Sequence, residues 1–351
     1  MLQQEYIDLL RQLIATPSFS REEKEAADLL ERWMNAHDMQ PRRMGNNLWV
    51  ENMSATDANR HGLQTIMMNA HIDTVRPASG YTRNPFEPTL EGDVVYGLGS
   101  NDDLGSLIAM LAAYRNITSL PYRLIFSATA EEEVSGKGGI EMILPELGCI
   151  DLVIVGEPTR MCMAVAEKGL MVLDCTAYGK AGHAARNEGV NALYKAIDDI
   201  NILRNYHFEK VSPYLGEVKL TTTIIEAGQQ HNQVPDICHF VVDVRGNGLY
   251  RNEDILAQIK QLINCEVQER STRLNSSHIN INHPIVLKAK ELSIDVFGSP
   301  TISNQTLING PSVKIGPGDS ARSHSADEYI RLSEIETGVE IYQKLMENLK
   351  L

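Results

Sequence analysis

Residues 65–75, TIMMNAHIDTV, decide how the rest of the chain is interpreted. The apolar run over residues 65–69 is typical of a buried strand. A histidine and an aspartate, His71 and Asp73, follow where that strand is expected to end. In open α/β sheets, ligands bind beyond the carboxyl ends of the strands. The stretch therefore predicts a buried strand with a polar site at its end.

Polar side chains follow other predicted strands in the same way. These candidates are Glu131, Glu132 and Glu133 after a strand over residues 122–130, Glu157 after a strand over residues 152–155, Asp102 and Asp103 after the turn GLGSN, and His324 in the loop GPGDSARSHSADE. Because loops from several strand ends can converge on one point, we expect these groups to surround a common centre.

The intervening segments have helical periodicity and alternate with the strands. Helices are predicted over residues 3–14, 21–37, 103–115 and 138–147, and Ser20 is expected to cap the second of them, with Glu23 completing a capping box. Such alternation favours an α/β fold with a mixed, mainly parallel sheet that helices flank on both faces.

The pattern changes near Lys168 and returns after about residue 275. Strands over residues 170–178, 217–226 and 239–245, with helices over 190–205 and 252–262, predict a compact α+β layer. Beyond it we expect a helix over 284–297, a strand over 312–315 and a final helix over 333–349. The predicted domains are therefore 1–168 together with 276–351, and an inserted domain over 169–275.

Length and composition restrict the class of protein. The 351 residues exceed the ~250–300 at which single cores stop growing, which favours two domains. With 32 basic and 46 acidic residues the net charge is −14, which argues against nucleic acid or an anionic membrane as a partner. No apolar run reaches the ~18–20 residues of a membrane span. Five widely spaced cysteines indicate reduced thiols and a cytoplasmic location.

The chemistry that uses two histidines and several carboxylates is a pair of divalent metal ions. Imidazole and carboxylate ligands suit zinc, cobalt or manganese, and an unligated carboxylate nearby can act as a general base. Each motif alone also has an ordinary interpretation: a polar loop for His71 and Asp73, a solvated helix start for the three glutamates. The Gly-rich turn lacks the lysine of a phosphate-binding P-loop. The ordered set favours the metal site.

Seven short motifs, in this order, resemble those of the M20 family of metallopeptidases and deacylases, in the branch of acetylornithine deacetylase and succinyl-diaminopimelate desuccinylase. They are AHIDTV (70–75), GLGSND (97–102), TAEEE (129–133), VGEPT (155–159), GHAAR (182–186), NQVPD (232–236) and SHSADE (323–328). The resemblance implies a zinc-peptidase-like catalytic domain with an inserted, ferredoxin-like dimerisation domain, and a homodimer formed through that insertion.

The resemblance also implies the roles of single residues. The expected metal ligands are His71, Asp102, Glu133, Glu157 and His324, with Asp102 rather than Asp103 bridging two divalent ions, zinc in preference to cobalt or manganese, and preceding a cis peptide bond. The expected catalytic groups are Glu132 as general base, Asp73 as the residue that orients His71, and His183 as the group that polarises the scissile carbonyl from a partner subunit. The expected substrate-binding groups are Arg245, Asn232 and Lys168. For His183, Arg245 and Asn232, ordinary loop or surface roles remain open.

The expected reaction is hydrolysis of the amide bond of a small N-acyl amino acid. The stretch EKG at residues 167–169 resembles the HKG of acetylornithine deacetylases, which favours N-acetylornithine, or N-succinylornithine, in arginine biosynthesis. A succinyl-diaminopimelate desuccinylase, a di- or tripeptidase of the same fold, and a non-catalytic binding protein are the alternatives. Leu98 and Leu104 depart from the family pattern, and His278, His283 and residues 303–311 match no element.

Overall fold

The computed structural model describes residues 2–52, 63–117, 120, 122–186 and 188–351. The chain divides into two compact units. Unit 1 comprises Met1–Val165, His278–Phe297 and Ser303–Leu351, and unit 2 comprises Ala166–Ser277 and Gly298–Ile302. The assignment of residues 169–275 to dimerisation stays a prediction.

The strands and helices are as follows in chain order. The strands are β1 (Arg42–Met44), β2 (Asn47–Glu51), β3 (Thr65–His71), β4 (Thr89–Glu91), β5 (Val94–Tyr96), β6 (Arg123–Thr129), β7 (Leu152–Val155), β8 (Met163–Glu167), β9 (Leu170–Tyr178), β10 (Gly182–His183), β11 (Lys219–Ala227), β12 (Gln233–Val234), β13 (Ile237–Arg245), β14 (Glu266–Glu269), β15 (Ser277–His278), β16 (Val296–Ser299), β17 (Ser312–Lys314) and β18 (Tyr329–Arg331). The α-helices are α1 (Gln4–Ile14), α2 (Lys24–Ala36), α3 (Gly105–Asn116), α4 (Ile140–Leu147), α5 (Ala192–Asn205), α6 (Asn252–Leu262), α7 (Pro284–Glu291) and α8 (Leu332–Met346).

Unit 1 is built on a mixed sheet in the order β1-β2-β6-β3-β7-β17-β8. Its central strands β6, β3, β7 and β17 are parallel to their neighbours within that group, whereas β1, β2 and β8 pair antiparallel. All seven residues of β3 are buried, because helices cover both faces of the sheet. Alternate strand residues contact α1, α3 and α8 on one face and α4 on the other. The predicted fold class is confirmed.

A second, three-stranded sheet in unit 1 brings distant parts of the chain together. Strand β5 lies between β4 and β18, and Ile330 pairs with Val95 in antiparallel register. The residues that follow β5 and precede β18 are therefore neighbours in space, although more than 200 positions separate them in sequence.

Unit 2 has the connectivity βαββαβ, with β9, α5, β11, β13, α6 and β14 in that order along the chain. The four strands form an antiparallel sheet in the order β11-β13-β9-β14, which is the ferredoxin-like arrangement. Residues 170–177 of β9 alternate between half-buried and buried, because α5 and α6 pack on one face only. Helix α5 begins at a cap, where the Asn191 side chain accepts hydrogen bonds from two backbone N–H groups.

Two local predictions are wrong. The helix expected over residues 284–297 ends at Glu291, and β16 follows it from Val296. Ser20 does not cap α2, which begins at Lys24 after Glu23, because the Ser20 hydroxyl donates a hydrogen bond to the Asp73 carboxylate 2.7 Å away instead. None of the helices in the described part of the chain combines the length and apolar character that crossing a bilayer requires.

Candidate active site

The carboxyl ends of three adjacent parallel strands form the floor of the site. His71 ends β3 and pairs with Thr129 at the end of β6, while Asn69 pairs with Val155 at the end of β7. The residues that follow these strands, among them Glu132 and Glu133 after β6 and Glu157 after β7, therefore emerge side by side, which agrees with the expectation from open α/β sheets.

Two groups of potential metal ligands share one carboxylate. In the first group are His71, Asp102 and Glu157, and in the second are Asp102, Glu133 and His324; within each group the ligand atoms lie within 4.8 Å of one another. One oxygen of Asp102 lies 3.3 Å from His71 Nε2, and the other lies 3.8 Å from His324 Nε2. One oxygen of the Asp102 carboxylate is therefore directed toward the first ligand group, and the other oxygen is directed toward the second.

Asp73 positions His71 and the backbone of Glu132 and Glu133. Its carboxylate accepts hydrogen bonds from the backbone N–H groups of Glu132, at 2.9 Å, and of Glu133, at 3.1 Å, besides the bond from Ser20. The Asp73 carbonyl oxygen lies 2.9 Å from His71 Nδ1. With the ring proton on Nδ1, the lone pair of Nε2 points toward Asp102, which is the orientation that a metal-binding imidazole needs.

Glu132 belongs to neither ligand group but lies next to both. Its carboxylate is buried, and one oxygen is 3.9 Å from His71 Nε2. Burial raises the pKa of Glu132 well above its usual value, and the charges of Glu133, Asp73 and Asp102 add to this rise, against the opposite effect of His71. A carboxylate beside a cation site that is not itself a ligand is free to accept and return a proton.

The electrostatics of the site fit divalent cations. Burial, followed by the charges of Asp102 and Glu132, raises the pKa of Glu157 well above its usual value, and burial also raises the pKa of Glu133. The hydrogen bond that His324 Nε2 donates to the Glu133 carboxylate raises the pKa of His324 to about 9. Carboxylates that crowd together away from water call for positive charge, and mixed imidazole and carboxylate donors suit zinc, cobalt or manganese.

Asp103 has a separate place, although it follows Asp102 through a cis peptide bond, as the family resemblance implies. It lies in neither ligand group. One carboxylate oxygen accepts a hydrogen bond from the His71 backbone N–H at 3.3 Å, and the other has no hydrogen-bond partner among the described residues. Burial raises the pKa of Asp103 to about 7.

Glu328 is a residue of the site for which the sequence predicted no role. It is buried just before β18, and its carboxylate accepts hydrogen bonds from the backbone N–H groups of Gly99, at 2.8 Å, and of Asn101 and Asp102, both at 2.9 Å. Burial, with the charge of Asp102, raises the pKa of Glu328 to about 8. The side chain holds the turn that presents Asp102. Its place in the motif SHSADE was the only sequence signal.

Replacing Glu328 by alanine should lower the free energy of unfolding by about 2–4 kcal/mol, because three backbone N–H groups lose their buried hydrogen-bond acceptor. Urea unfolding of the purified protein measures this change. Glu328→Gln keeps one acceptor oxygen and should lose less. Glu340→Ala, on the exposed side of α8, is the control and should stay within about 0.5 kcal/mol of the wild type. An equal loss for Glu328→Ala and Glu340→Ala would contradict the anchoring role.

The remaining predicted residues lie in unit 2. His183 is exposed in β10, which pairs with β12, and the Asn232 carbonyl accepts a hydrogen bond from Ala184 N–H at 3.0 Å, so the motifs GHAAR and NQVPD are neighbours. Arg245 ends β13 and Lys168 precedes β9.

The sheet and the two ligand groups at its carboxyl edge define a metal-dependent hydrolase of the α/β type. Residues 67–348 match the family described as Peptidase family M20/M25/M40. The chain belongs to this family, and the resemblance from its motifs is confirmed.

Two relatives span the chain at nearly full length. An acetylornithine deacetylase of Klebsiella pneumoniae is 29% identical, and the alignment covers 97% of each chain. A LysW-lysine/LysW-ornithine hydrolase of Saccharolobus islandicus is 26% identical, over 99% of this chain and 97% of the relative.

Two solved structures share the fold. A tripeptidase of Staphylococcus aureus superposes with a TM-score of 0.77 at 20% identity, covering 98% of this chain and 97% of the other. A dinuclear metal-binding peptidase of the M20 family from Bacillus subtilis superposes with a TM-score of 0.75 at 15% identity, covering 98% and 97%.

Proposed function

We propose that the protein hydrolyses the amide bond of an N-acylated ornithine, acetyl or succinyl, with two zinc ions held by His71, Asp102, Glu133, Glu157 and His324. The single observation that carries this proposal is that Asp102 belongs to both ligand groups, with one oxygen toward each histidine. A carboxylate in that position could supply a ligand oxygen to each of two divalent cations.

Bound at these groups, the cations would acidify a water molecule and polarise the scissile carbonyl. In the proposed reaction Glu132 accepts the proton of the attacking water and later returns a proton to the leaving amine. Asp73 keeps His71 in the required orientation, and its carboxylate holds the backbone of Glu132 in place by accepting a hydrogen bond from the Glu132 N–H. The burial of Glu132 supports this role, because a raised pKa lets a carboxylate hold a proton between the two steps.

In this proposal, polar residues of unit 2 bind the substrate. Arg245 binds the α-carboxylate, Asn232 and Lys168 contribute further polar contacts, and His183 donates a hydrogen bond to the oxyanion from a second copy of the chain. The proximity of the His183 and Asn232 motifs supports a shared task. We also propose a homodimer formed through unit 2 and, from the five free thiols, a cytoplasmic location.

The names of the two relatives support ornithine as the amino acid, since both contain it. The second candidate is a di- or tripeptidase, which the similarity to the Staphylococcus tripeptidase favours. Desuccinylation of succinyl-diaminopimelate is the third.

A panel of substrates separates these candidates. We expect the highest kcat/KM for an N-acyl derivative of ornithine, when N-acetyl and N-succinyl derivatives of ornithine, lysine and diaminopimelate are compared with free di- and tripeptides. Turnover of the peptides without turnover of any N-acyl ornithine would instead establish the peptidase, and the ornithine assignment would be abandoned.

A further inference from the structure

Three cations occupy the same end of one face of the unit 2 sheet. Strands β11, β13 and β9 are adjacent, and their register places Lys219 opposite Arg245 and Arg245 opposite Leu170. Directly paired residues project on the same face. Lys168 precedes Leu170 by two residues, and its ammonium donates to the Glu217 carbonyl at 2.9 Å, just before β11. We call Lys168, Lys219 and Arg245 the cation cluster.

The cluster lies on the face opposite the two helices of unit 2. In β13, Asp243 and Arg245 alternate with buried residues that pack on the helices, so these two side chains project on the other face. In β11, Leu220 packs on the helix side, so its neighbour Lys219 also projects on the other face. Lys219 is exposed, while Lys168 and Arg245 are half-buried. A ligand in solution can therefore reach Lys219, and the partial burial of Lys168 and Arg245 strengthens their interaction with a bound charge.

The carboxylates of unit 2 leave the cluster with excess positive charge. Asp243 accepts two hydrogen bonds from Arg245, at 2.8 Å from Nε and 3.1 Å from Nη2. The other terminal nitrogen, Nη1, has no hydrogen-bond partner among the residues that the structure describes. The Glu217 carboxylate lies 3.0 Å from His207. Among the described residues, no carboxylate oxygen lies within 4 Å of the ammonium of Lys168 or Lys219.

The positive charges of the cluster repel one another, and this repulsion contributes to a lowered pKa of Lys168. Burial lowers the pKa of Lys168, and the positive charges of Lys219 and Arg245 lower it further, against a smaller opposite effect of Glu217. Like charges held together in an acidic chain are stabilised when an anion binds between them. One α-carboxylate would occupy Arg245 and leave both lysines uncompensated.

We propose that the cation cluster binds a second carboxylate of the substrate, so that the preferred substrate is an N-acyl amino acid whose acyl group itself ends in a carboxylate. In this arrangement Arg245, oriented by Asp243, takes the α-carboxylate, and Lys219 with Lys168 takes the carboxylate of the acyl chain. A succinyl group has this chemistry and an acetyl group lacks it. The inference rests on the proposed function and narrows its substrate class.

Lys219 is the specificity-determining residue that tests the inference, because the sequence assigned it no role. Lys219→Met should lower kcat/KM for N-succinylornithine about tenfold, the loss of one charged hydrogen bond, and leave N-acetylornithine within about twofold. Lys219→Arg should restore most of the loss. Lys260→Met, on α6 and paired with Glu269, is the matched control and should change neither value. Equal losses on both substrates for Lys219→Met would overturn the proposal.

A binding measurement separates this inference from the proposed function. Titration of the full-length protein with succinate and with propionate, which lacks one carboxylate, should give a Kd at least about tenfold lower for succinate, and Lys219→Met should abolish the difference. Equal affinities in the wild type would refute the cluster as a second carboxylate site. Selective succinate binding without hydrolysis of any N-acyl ornithine would refute the ornithine assignment and keep the cluster as a dicarboxylate site.

Discussion

Glu132→Gln should lose hydrolysis almost completely and still bind its metal ions. The substitution keeps the shape of the side chain but removes the group that takes the proton from water, and positioned general bases contribute about 10²–10⁴-fold to rate. Because Glu132 lies outside both ligand groups, the metal content should equal that of the wild type. Measurements of kcat and of metal per chain on the same preparation test both statements.

The neighbouring Glu131 supplies the control. Its carboxylate accepts a hydrogen bond from Gly138 N–H at 3.3 Å and takes part in neither ligand group, so Glu131→Gln should keep its turnover. If Glu132→Gln hydrolysed substrate at the wild-type rate, another group would have to be the base and the proposed mechanism would be wrong.

Asp102→Asn should reduce binding at both metal positions, whereas His324→Ala should affect one. The difference follows from the place of Asp102 in both groups and of His324 in the second group alone. Loss of a direct ligand should weaken binding by more than the about 10–100-fold that loss of an outer-shell partner causes. After dialysis, elemental analysis should find about two metal ions per wild-type chain, about one for His324→Ala and almost none for Asp102→Asn.

Asp103→Asn is the matched control for Asp102→Asn. It changes the adjacent aspartate, which lies outside both groups, and an asparagine oxygen can still accept the bond from the His71 backbone. Full metal content in Asp103→Asn, combined with loss in Asp102→Asn, is the expected pattern. Equal metal content in all three variants would show that the ions bind elsewhere.

Much of this arrangement could be predicted from the sequence because the signals were local. The apolar runs of β3, β6 and β7 define the central strands, and the polar residues directly after them mark one edge of a parallel sheet. The connectivity of unit 2 follows from alternating strands and helical periodicity in the same way.

The parts that were missed depend on contacts between distant residues. Ser20 has the spacing of a helix cap, but a buried carboxylate 53 positions later competes for its hydroxyl. Glu328 looks like any acidic residue before a strand until β5 and β18 pair and place three backbone N–H groups around it. Lys219 and Lys168 become neighbours only through the register of three strands. Pattern alone carries no information about such partners.

The pairing of β5 with β18 also has a consequence for synthesis of the protein on the ribosome. Asp102 depends on Glu328, and the second ligand group needs His324, so both features require residues more than 200 positions after Asp102 in the sequence. A growing polypeptide folds from its N-terminal side as it emerges, and contacts over such separations form late. A nascent chain that has emerged only as far as Asp102 therefore lacks Glu328 and His324, so neither the anchored turn nor the second ligand group can form until residues 324–328 have been synthesised.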